Sequence, residues 1–163
     1  IYLITKYRLS TQIEDQCRAF FNGLSEMIDP RWLRLFNREE LRVLVSGAES
    51  PIDVDDLRRN TVYGGYHEKD MAVQYFWEAL SHFDQSSLKV FLRFVTSSPN
   101  PPLLGFSELN PKFAIRHAGD DVTRLPTAST CVNLLKLPAY ESVAQCADKL
   151  RYAIYAGAGF DLS

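Results

Sequence analysis

Cysteine is scarce in this sequence, and the few cysteines present form no metal-binding or disulfide framework. The 163 residues contain three, Cys17, Cys131 and Cys146, which are too few and too widely spaced to hold zinc. Their odd number argues against a closed set of disulfide bonds and favours a reducing compartment. We therefore expect the protein in the cytoplasm, and also in the nucleus.

Neither sign of charge is in excess, and long apolar runs are absent. Eighteen basic and twenty acidic residues leave a net charge of −2, so no bulk positive field attracts nucleic acid or an anionic membrane surface. No apolar stretch approaches the roughly 20 residues that span a bilayer. Nucleic acid and membrane are therefore not expected as partners. The chain begins at Ile1 without an initiator methionine or a signal peptide, which predicts a piece of a longer protein.

Apolar and aromatic residues are plentiful, and their spacing is mainly helical. With 46% hydrophobic and 12% aromatic residues, the composition is that of a folded globular protein. A capping box at Thr11–Glu14, a start signal at Asn37 and a cap at Asp84 mark helix beginnings. Together with the apolar periodicity they predict helices over about residues 11–24, 37–46, 71–82, 85–96 and 142–154.

The remaining segments predict a small sheet and a domain boundary. Lys112–His117 and Val132–Leu137 read as short strands that pair with each other. The fold class is therefore α+β, a small β-sheet flanked by helices. A small, acidic and proline-bearing stretch over residues 48–56 is typical of a linker, so we place a boundary near residue 50, between segments 1–50 and 51–163.

The three cysteines differ in their surroundings. Cys17 and Cys146 fall on the apolar stripes of predicted helices, where a cysteine acts as a small buried hydrophobe. Cys131 lies in a polar stretch of small residues between a proline and a strand, a position that exposes a thiol. On these grounds alone Cys131 is either a nucleophile or an inert loop cysteine, because nothing local guarantees its reactivity.

The segment around Cys131 resembles a known active site. The run RLPTASTCVNLLKLPAY, residues 124–140, is similar to the catalytic segment of HECT-type ubiquitin ligases, whose nucleophile follows Leu-Pro and Thr and precedes Asn and Leu-x-Leu-Pro. YGGY at 63–66, FLRFVT at 91–96, PLLGF at 102–106 and Phe160 near the end support the resemblance. It covers the whole chain and is closest to the proteasome-associated, chain-elongating branch of the family.

The resemblance implies a lobe assignment and an activity. Residues 51–163 resemble a complete catalytic C-lobe, and residues 1–50 resemble the end of the N-lobe, so the docking site for the ubiquitin-conjugating enzyme is expected outside this chain. Cys131 would accept ubiquitin from that enzyme as a thioester and pass it to a substrate lysine. The implied partners are ubiquitin, the conjugating enzyme, substrate proteins and the proteasome.

Supporting roles follow from the same resemblance. An edge strand over residues 124–130 would pair with the extended tail of ubiquitin, with Leu125 and Thr130 in contact. Leu103 and Leu104 either offer an apolar surface for ubiquitin or pack under the proline-rich loop. Asn133 supports the site, and Phe160 either docks on the N-lobe or packs back on the core. Exchange of one thioester for another is nearly balanced in energy, so an unperturbed thiol with a pKa of about 8.5 suffices.

Two other functions stay open at this stage. In a noncatalytic ubiquitin-binding or protein-interaction module, Cys131 would be exposed without forming an adduct. A Cys-His hydrolase would need a histidine within reach of Cys131, and His117 is the nearest candidate in sequence. His67 and His82 share no spacing with a carboxylate or cysteine that indicates a metal site, and we expect neither a metal nor a cofactor.

Overall fold

The computed structural model describes residues 2–47 and 49–156. They belong to two compact units, Ile1–Arg42 and Val43–Ser163. The division between these units falls inside a helix, whereas the lobe boundary expected from composition lies near residue 50. The compact units are defined by contacts within the chain, whereas the lobes are defined by the family resemblance. The assignment of 1–50 and 51–163 to lobes therefore stays a prediction.

The first unit is helical. Helices α1 (Tyr2–Leu9), α2 (Glu14–Met27) and α3 (Pro30–Leu33) are followed by α4 (Arg38–Ser46), which continues into the second unit. None of these helices contains a buried residue.

The two start signals in this region have different outcomes. The expected capping box at Thr11–Glu14 is wrong, because Thr11–Ile13 is a 3-10 turn and the Glu14 N–H bonds the Thr11 carbonyl oxygen. Helix α1 ends directly before this turn, and the Ser10 N–H donates to the Lys6 carbonyl oxygen of that helix at 3.1 Å. The turn begins without a hydrogen bond from a capping side chain. At Asn37 the prediction is confirmed. Asn37 and Glu40 exchange reciprocal bonds of 2.7 and 2.9 Å between side chain and backbone.

Among its described residues the second unit adds four helices, of which the last three begin where the sequence predicts them and the first begins within the stretch expected to be a linker. They are α5 (Val54–Arg59), α6 (Met71–Ser81), α7 (Gln85–Thr96) and α8 (Val143–Tyr155). The side chains of Asp53, Asp84 and Ser142 accept backbone N–H groups at the starts of α5, α7 and α8.

In the described part of the chain, four short strands form one mixed sheet. Strands β1 (Val62–Gly64), β2 (Ala114–His117), β3 (Thr127–Ser129) and β4 (Leu134–Leu137) lie in the order β1-β2-β4-β3. The pairs β1-β2 and β2-β4 are parallel, and β3-β4 is antiparallel. The expected pairing of the strands near 112–117 and 132–137 is confirmed, and so is the α+β class.

The core of the second unit lies between the sheet and helices α6, α7 and α8. Phe91 of α7 links the layers, with its ring centroid 6.0 Å from that of Phe76 on α6 and 6.1 Å from that of Phe113 beside the sheet. Such tilted and edge-to-face pairs are favourable contacts between buried aromatic rings. This packing gives the sheet ends, where the candidate site lies, a rigid support.

Candidate active site

Cys131 lies on the loop of a β-hairpin. Strands β3 and β4 are consecutive and antiparallel, and Ser129 pairs with Leu134 as the last pair before the loop. The loop is therefore the four residues 130–133. Thr130–Val132 form a 3-10 turn, and Asn133 completes the loop in the left-handed region with φ 50° and ψ 43°. A four-residue loop of this kind turns one strand back on its neighbour, and it places Cys131 at the tip of the hairpin.

The three thiols have different environments. Cys131 is exposed, and Cys146 on α8 is completely buried. Burial disfavours the thiolate and raises the pKa of Cys146 to about 12. Cys146 is thus an inert core residue, as its position on an apolar stripe predicted.

The burial expected for Cys17 is wrong. Cys17 lies on α2 and is exposed, as are Phe20 and Phe21 on the same helix. The apolar stripe of α2 was correctly identified, but within residues 2–42 no surface covers it. An amphipathic pattern indicates which face can be buried, and burial itself needs a partner surface.

The segment leading to the hairpin is anchored at several points. Leu125 is half-buried against the core, and the buried Tyr140 donates a 2.7 Å bond from its hydroxyl to the carbonyl oxygen of Arg124. Lys149 of α8 donates a 2.7 Å bond to the carbonyl oxygen of Thr123. Neither anchor was predicted from the sequence, because each joins residues far apart in the chain through a backbone oxygen.

Strand β3 forms one edge of the sheet. At Thr127–Ser129 it is shorter than the strand expected over residues 124–130, because Pro126 has no N–H to donate and Thr130 already belongs to the 3-10 turn. It pairs with β4 on one side, and on its other side no strand follows within the described residues. Thr130, which comes directly after β3, is half-buried. An edge strand offers unpaired backbone groups to another extended chain, and here it runs directly into the loop that carries Cys131.

Leu103 and Leu104 form an exposed apolar turn. Their exposed fractions are 52% and 78%, and the turn is closed by a 3.1 Å bond from the Gly105 N–H to the Pro102 carbonyl oxygen. The turn is held by a carboxylate of α5, at the end of the stretch over residues 48–56 whose composition predicted a linker. Asp56 Oδ2 accepts a 2.8 Å bond from the N–H of the buried Phe106.

This apolar turn and the hairpin border the same groove. The groove has a volume of about 440 Å³, and both Leu103 and Asn133 are among the residues that line it. Among the described residues no charged side chain lines it. The apolar turn therefore lies on the same side of the second unit as the loop that carries Cys131.

His117 is at the other end of the sheet from Cys131. It pairs with Leu137, the last residue of β4, whereas Leu134 directly follows the loop. Three residues of strand separate these ends by about 10 Å. His117 Nε2 instead lies 3.2 Å from Asp120 Oδ1. The structure gives no support to a Cys131–His117 dyad.

Two further observations limit the chemistry of the described residues. Residues 2–47 and 49–156 contain no group of three or more His, Cys, Asp or Glu side chains arranged to hold a metal ion. Over the same ranges, no helix combines the length and the apolar character needed to cross a membrane. Phe160 lies outside the described residues, so its expected docking role stays a prediction.

Comparison with known families identifies one match over the entire chain. Residues 1–163 match the model of the HECT-domain (ubiquitin-transferase). The whole chain is thus accounted for by a single family.

Curated relatives agree with this match. E3 ubiquitin-protein ligase HUL5 of Saccharomyces cerevisiae is 51% identical over 98% of the chain, and E3 ubiquitin-protein ligase UPL6 of Arabidopsis thaliana is 46% identical over all of it. Ubiquitin-protein ligase E3B of Homo sapiens is 40% identical over the whole chain. The chain spans 18%, 16% and 18% of the lengths of these three proteins.

Proposed function

Because the chain belongs to the HECT-domain family of ubiquitin transferases, we propose that Cys131 accepts ubiquitin as a thioester and transfers it to a lysine of a substrate protein. The observation that carries this proposal is the exposed thiol at the tip of the β3-β4 hairpin, within the segment that resembles the family's active site. A thiol must be accessible to attack a thioester carried by a second protein.

The first step exchanges one thioester for another. The sulfur of Cys131 attacks the terminal carboxyl carbon of ubiquitin, and the bond from that carbon to the cysteine sulfur of the conjugating enzyme breaks. One thiolate enters and one leaves, so no base has to remove a net proton. In the second step a lysine amine attacks the same carbon, the bond to Cys131 breaks, and an isopeptide bond forms. The nitrogen of the original ammonium group gives up two protons, of which the departing Cys131 thiolate takes up one and the solvent takes up the other.

Backbone groups of the loop would assist both steps. A 3.3 Å bond from the Asn133 N–H to the Thr130 carbonyl oxygen closes the turn. The N–H groups of Cys131 and Val132 belong to the same turn and lie beside the reactive thiol. We assign them the stabilisation of the negative charge that develops on the thioester oxygen.

Two surfaces would hold the transferred ubiquitin. The free edge of β3 accepts its extended tail by strand addition and leads the tail end towards Cys131, with Leu125 and Thr130 beside its path. Leu103, which lines the groove beside Asn133, and its exposed neighbour Leu104 supply an apolar contact. The first assignment rests on the edge position of β3, and the second rests on the exposure of Leu103 and Leu104.

Wider roles follow from the family and the cysteines. We place the protein in a reducing compartment, cytoplasm and nucleus, where its three free thiols are stable. The conjugating enzyme, substrate proteins and the proteasome are its proposed partners, and degradation is the proposed fate of its substrates. Retention of the purified protein by immobilised proteasomes would test the proposed association with the proteasome. Cys131→Ala should be retained equally, because this association does not require the thiol.

The proposed activity is tested on a complete HECT domain that contains this chain. After incubation with ubiquitin and its activating and conjugating enzymes, the native domain should give a ubiquitin adduct that disappears on adding a thiol reductant. Cys131→Ala should give no such adduct, and Cys131→Ser should give an ester that survives the reductant. An unchanged adduct in Cys131→Ala would overturn the assignment, and ubiquitin binding without any adduct would favour a noncatalytic module.

A further inference from the structure

Asn133 combines two features that no other polar residue of the described chain combines. Aromatic and sulfur-containing residues aside, it is the one polar side chain there that is buried, with 7% of its surface exposed. Its backbone has φ 50°, and Ser97 is the only other described residue, glycines aside, with a positive φ. Asparagine tolerates this left-handed region better than most residues with a side chain.

Three hydrogen bonds connect Asn133 to its surroundings. Its backbone N–H donates to the Thr130 carbonyl oxygen at 3.3 Å, and its carbonyl oxygen accepts from the Ala114 N–H at 3.0 Å. Its side-chain amide donates to the carbonyl oxygen of Pro111 at 2.6 Å. The first bond closes the turn, the second joins the loop to β2, and the third ties it to the segment before β2.

Together these bonds fix the position of the thiol. Cys131 itself is exposed and lies between Thr130 and Asn133, so the loop ends must define where the sulfur points. The β3 side is held by the strand pair Ser129–Leu134. The other side depends on Asn133, because it provides both the backbone reversal and the side-chain tie to Pro111.

We propose that Asn133 is a positioning residue for ubiquitin transfer, acting through the Pro111 tie to hold Cys131 where a large acyl donor can reach it. This inference rests on the proposed function of Cys131. Asn133 is proposed to contact neither ubiquitin nor the reacting atoms. It acts through the conformation of residues 130–132.

The choice of variants separates the side chain from the backbone. Asn133→Asp keeps the size and the tolerance of positive φ but replaces the donor with an oxygen that faces the Pro111 carbonyl oxygen. Asn133→Gly keeps the backbone conformation at no steric cost and removes the amide. Ile154→Val, a small change in the buried face of α8, is the control for a general loss of stability.

The experiment measures two reactions of Cys131 in the full chain carrying Cys17→Ser. The first is acceptance of ubiquitin from its thioester with a small thiol, and the second is alkylation by iodoacetamide, a small reagent that can approach from many directions. Loss of one hydrogen bond to a buried group should slow ubiquitin acceptance by about tenfold or more in Asn133→Asp and Asn133→Gly. Alkylation should change far less, and Ile154→Val should alter neither rate per folded molecule.

The results distinguish the positioning role of Asn133 from the proposed function of Cys131. If both Asn133 variants accept ubiquitin at the parental rate, or if acceptance and alkylation fall equally, the positioning role is wrong and the proposed function is unaffected. If a complete HECT domain that contains the parental chain forms no ubiquitin adduct at Cys131, the proposed function is wrong, and the positioning role falls with it.

Discussion

The carboxylate of Asp56 accepts a 2.8 Å hydrogen bond from the backbone N–H of Phe106, and this contact fixes the turn that exposes Leu103 and Leu104. Asp56 lies on α5, and its other oxygen accepts from Asn60 at 3.1 Å. Gly105 approaches so closely that a Cβ atom there would lie 3.1 Å from Asp56 Oδ2. A helix and a distant loop are thereby joined through one side chain.

Removal of this carboxylate should loosen the apolar turn. Asp56→Ala leaves the N–H of the buried Phe106 without its acceptor, and we expect the free energy of unfolding to fall by about 1–3 kcal/mol. Amide hydrogen exchange at Phe106 should accelerate as well. Asp55→Ala, at an exposed neighbour on α5, is the matched control. Equal effects of the two substitutions would show that the contact contributes nothing specific.

The three thiols should differ in reactivity as their burial differs. In the folded protein an alkylating reagent should modify Cys17 and Cys131 quickly and leave Cys146 intact, because Cys146 is buried and its thiolate is disfavoured. Mass spectrometry of digests after timed labelling measures this directly. In denaturant all three should react. Fast labelling of Cys146 under native conditions would contradict its place in the core.

Stability should decrease at alkaline pH, and Cys146 should cause part of the decrease. Its pKa is about 12 when folded, against 9.0 for an unperturbed thiol, so above pH 9 the unfolded chain loses a proton that the folded chain keeps. The free energy of unfolding then falls with rising pH, by at most about 1.4 kcal/mol per pH unit for this one group, until the folded thiol ionises.

Two tyrosines extend this trend. Burial raises the pKa of Tyr66 to about 12 and also raises the pKa of Tyr140. Denaturant titrations between pH 7 and pH 10 should show the decline in the parental chain and a shallower one in Cys146→Ala, which lacks the titrating thiol. Identical pH slopes in the two proteins would mean that Cys146 ionises freely in the folded state.

The hydroxyl of Tyr140 should stabilise the segment that precedes β3. Tyr140→Phe removes the 2.7 Å bond to the Arg124 carbonyl oxygen without changing the ring, and we expect a loss of about 0.5–1.5 kcal/mol in the free energy of unfolding. Tyr152→Phe, which alters a side chain that is 64% exposed, is the control and should have little effect. A neutral Tyr140→Phe would show that water replaces the bond at no cost.

Local signals in the sequence predicted most of the elements. The caps at Asp84 and Ser142 define the starts of α7 and α8, because a capping side chain acts within three residues of itself. The pairing of β2 with β4 also followed from short apolar runs between turns.

Contacts between distant residues were not predictable in the same way. Nothing in the sequence around Asp56 indicates that its carboxylate binds the N–H of Phe106, and nothing around Asn133 indicates the tie to Pro111. The exposure of Cys17 depends on the absence of a covering surface, which a helical stripe cannot report. The position of Cys131 was found from its motif, while its hairpin geometry came from the structure.

The most direct test of the central claim uses this chain alone, with no conjugating enzyme. Cys17→Ser removes the other exposed thiol, and ubiquitin is supplied as a thioester of a small thiol such as 2-mercaptoethanesulfonate. We expect one covalent ubiquitin adduct, which mass spectrometry locates at Cys131 and which reductant cleaves. The adduct should be absent from the chain that carries both Cys17→Ser and Cys131→Ala. An adduct that persists in the Cys131→Ala chain, or no adduct while iodoacetamide still labels Cys131, would contradict this claim.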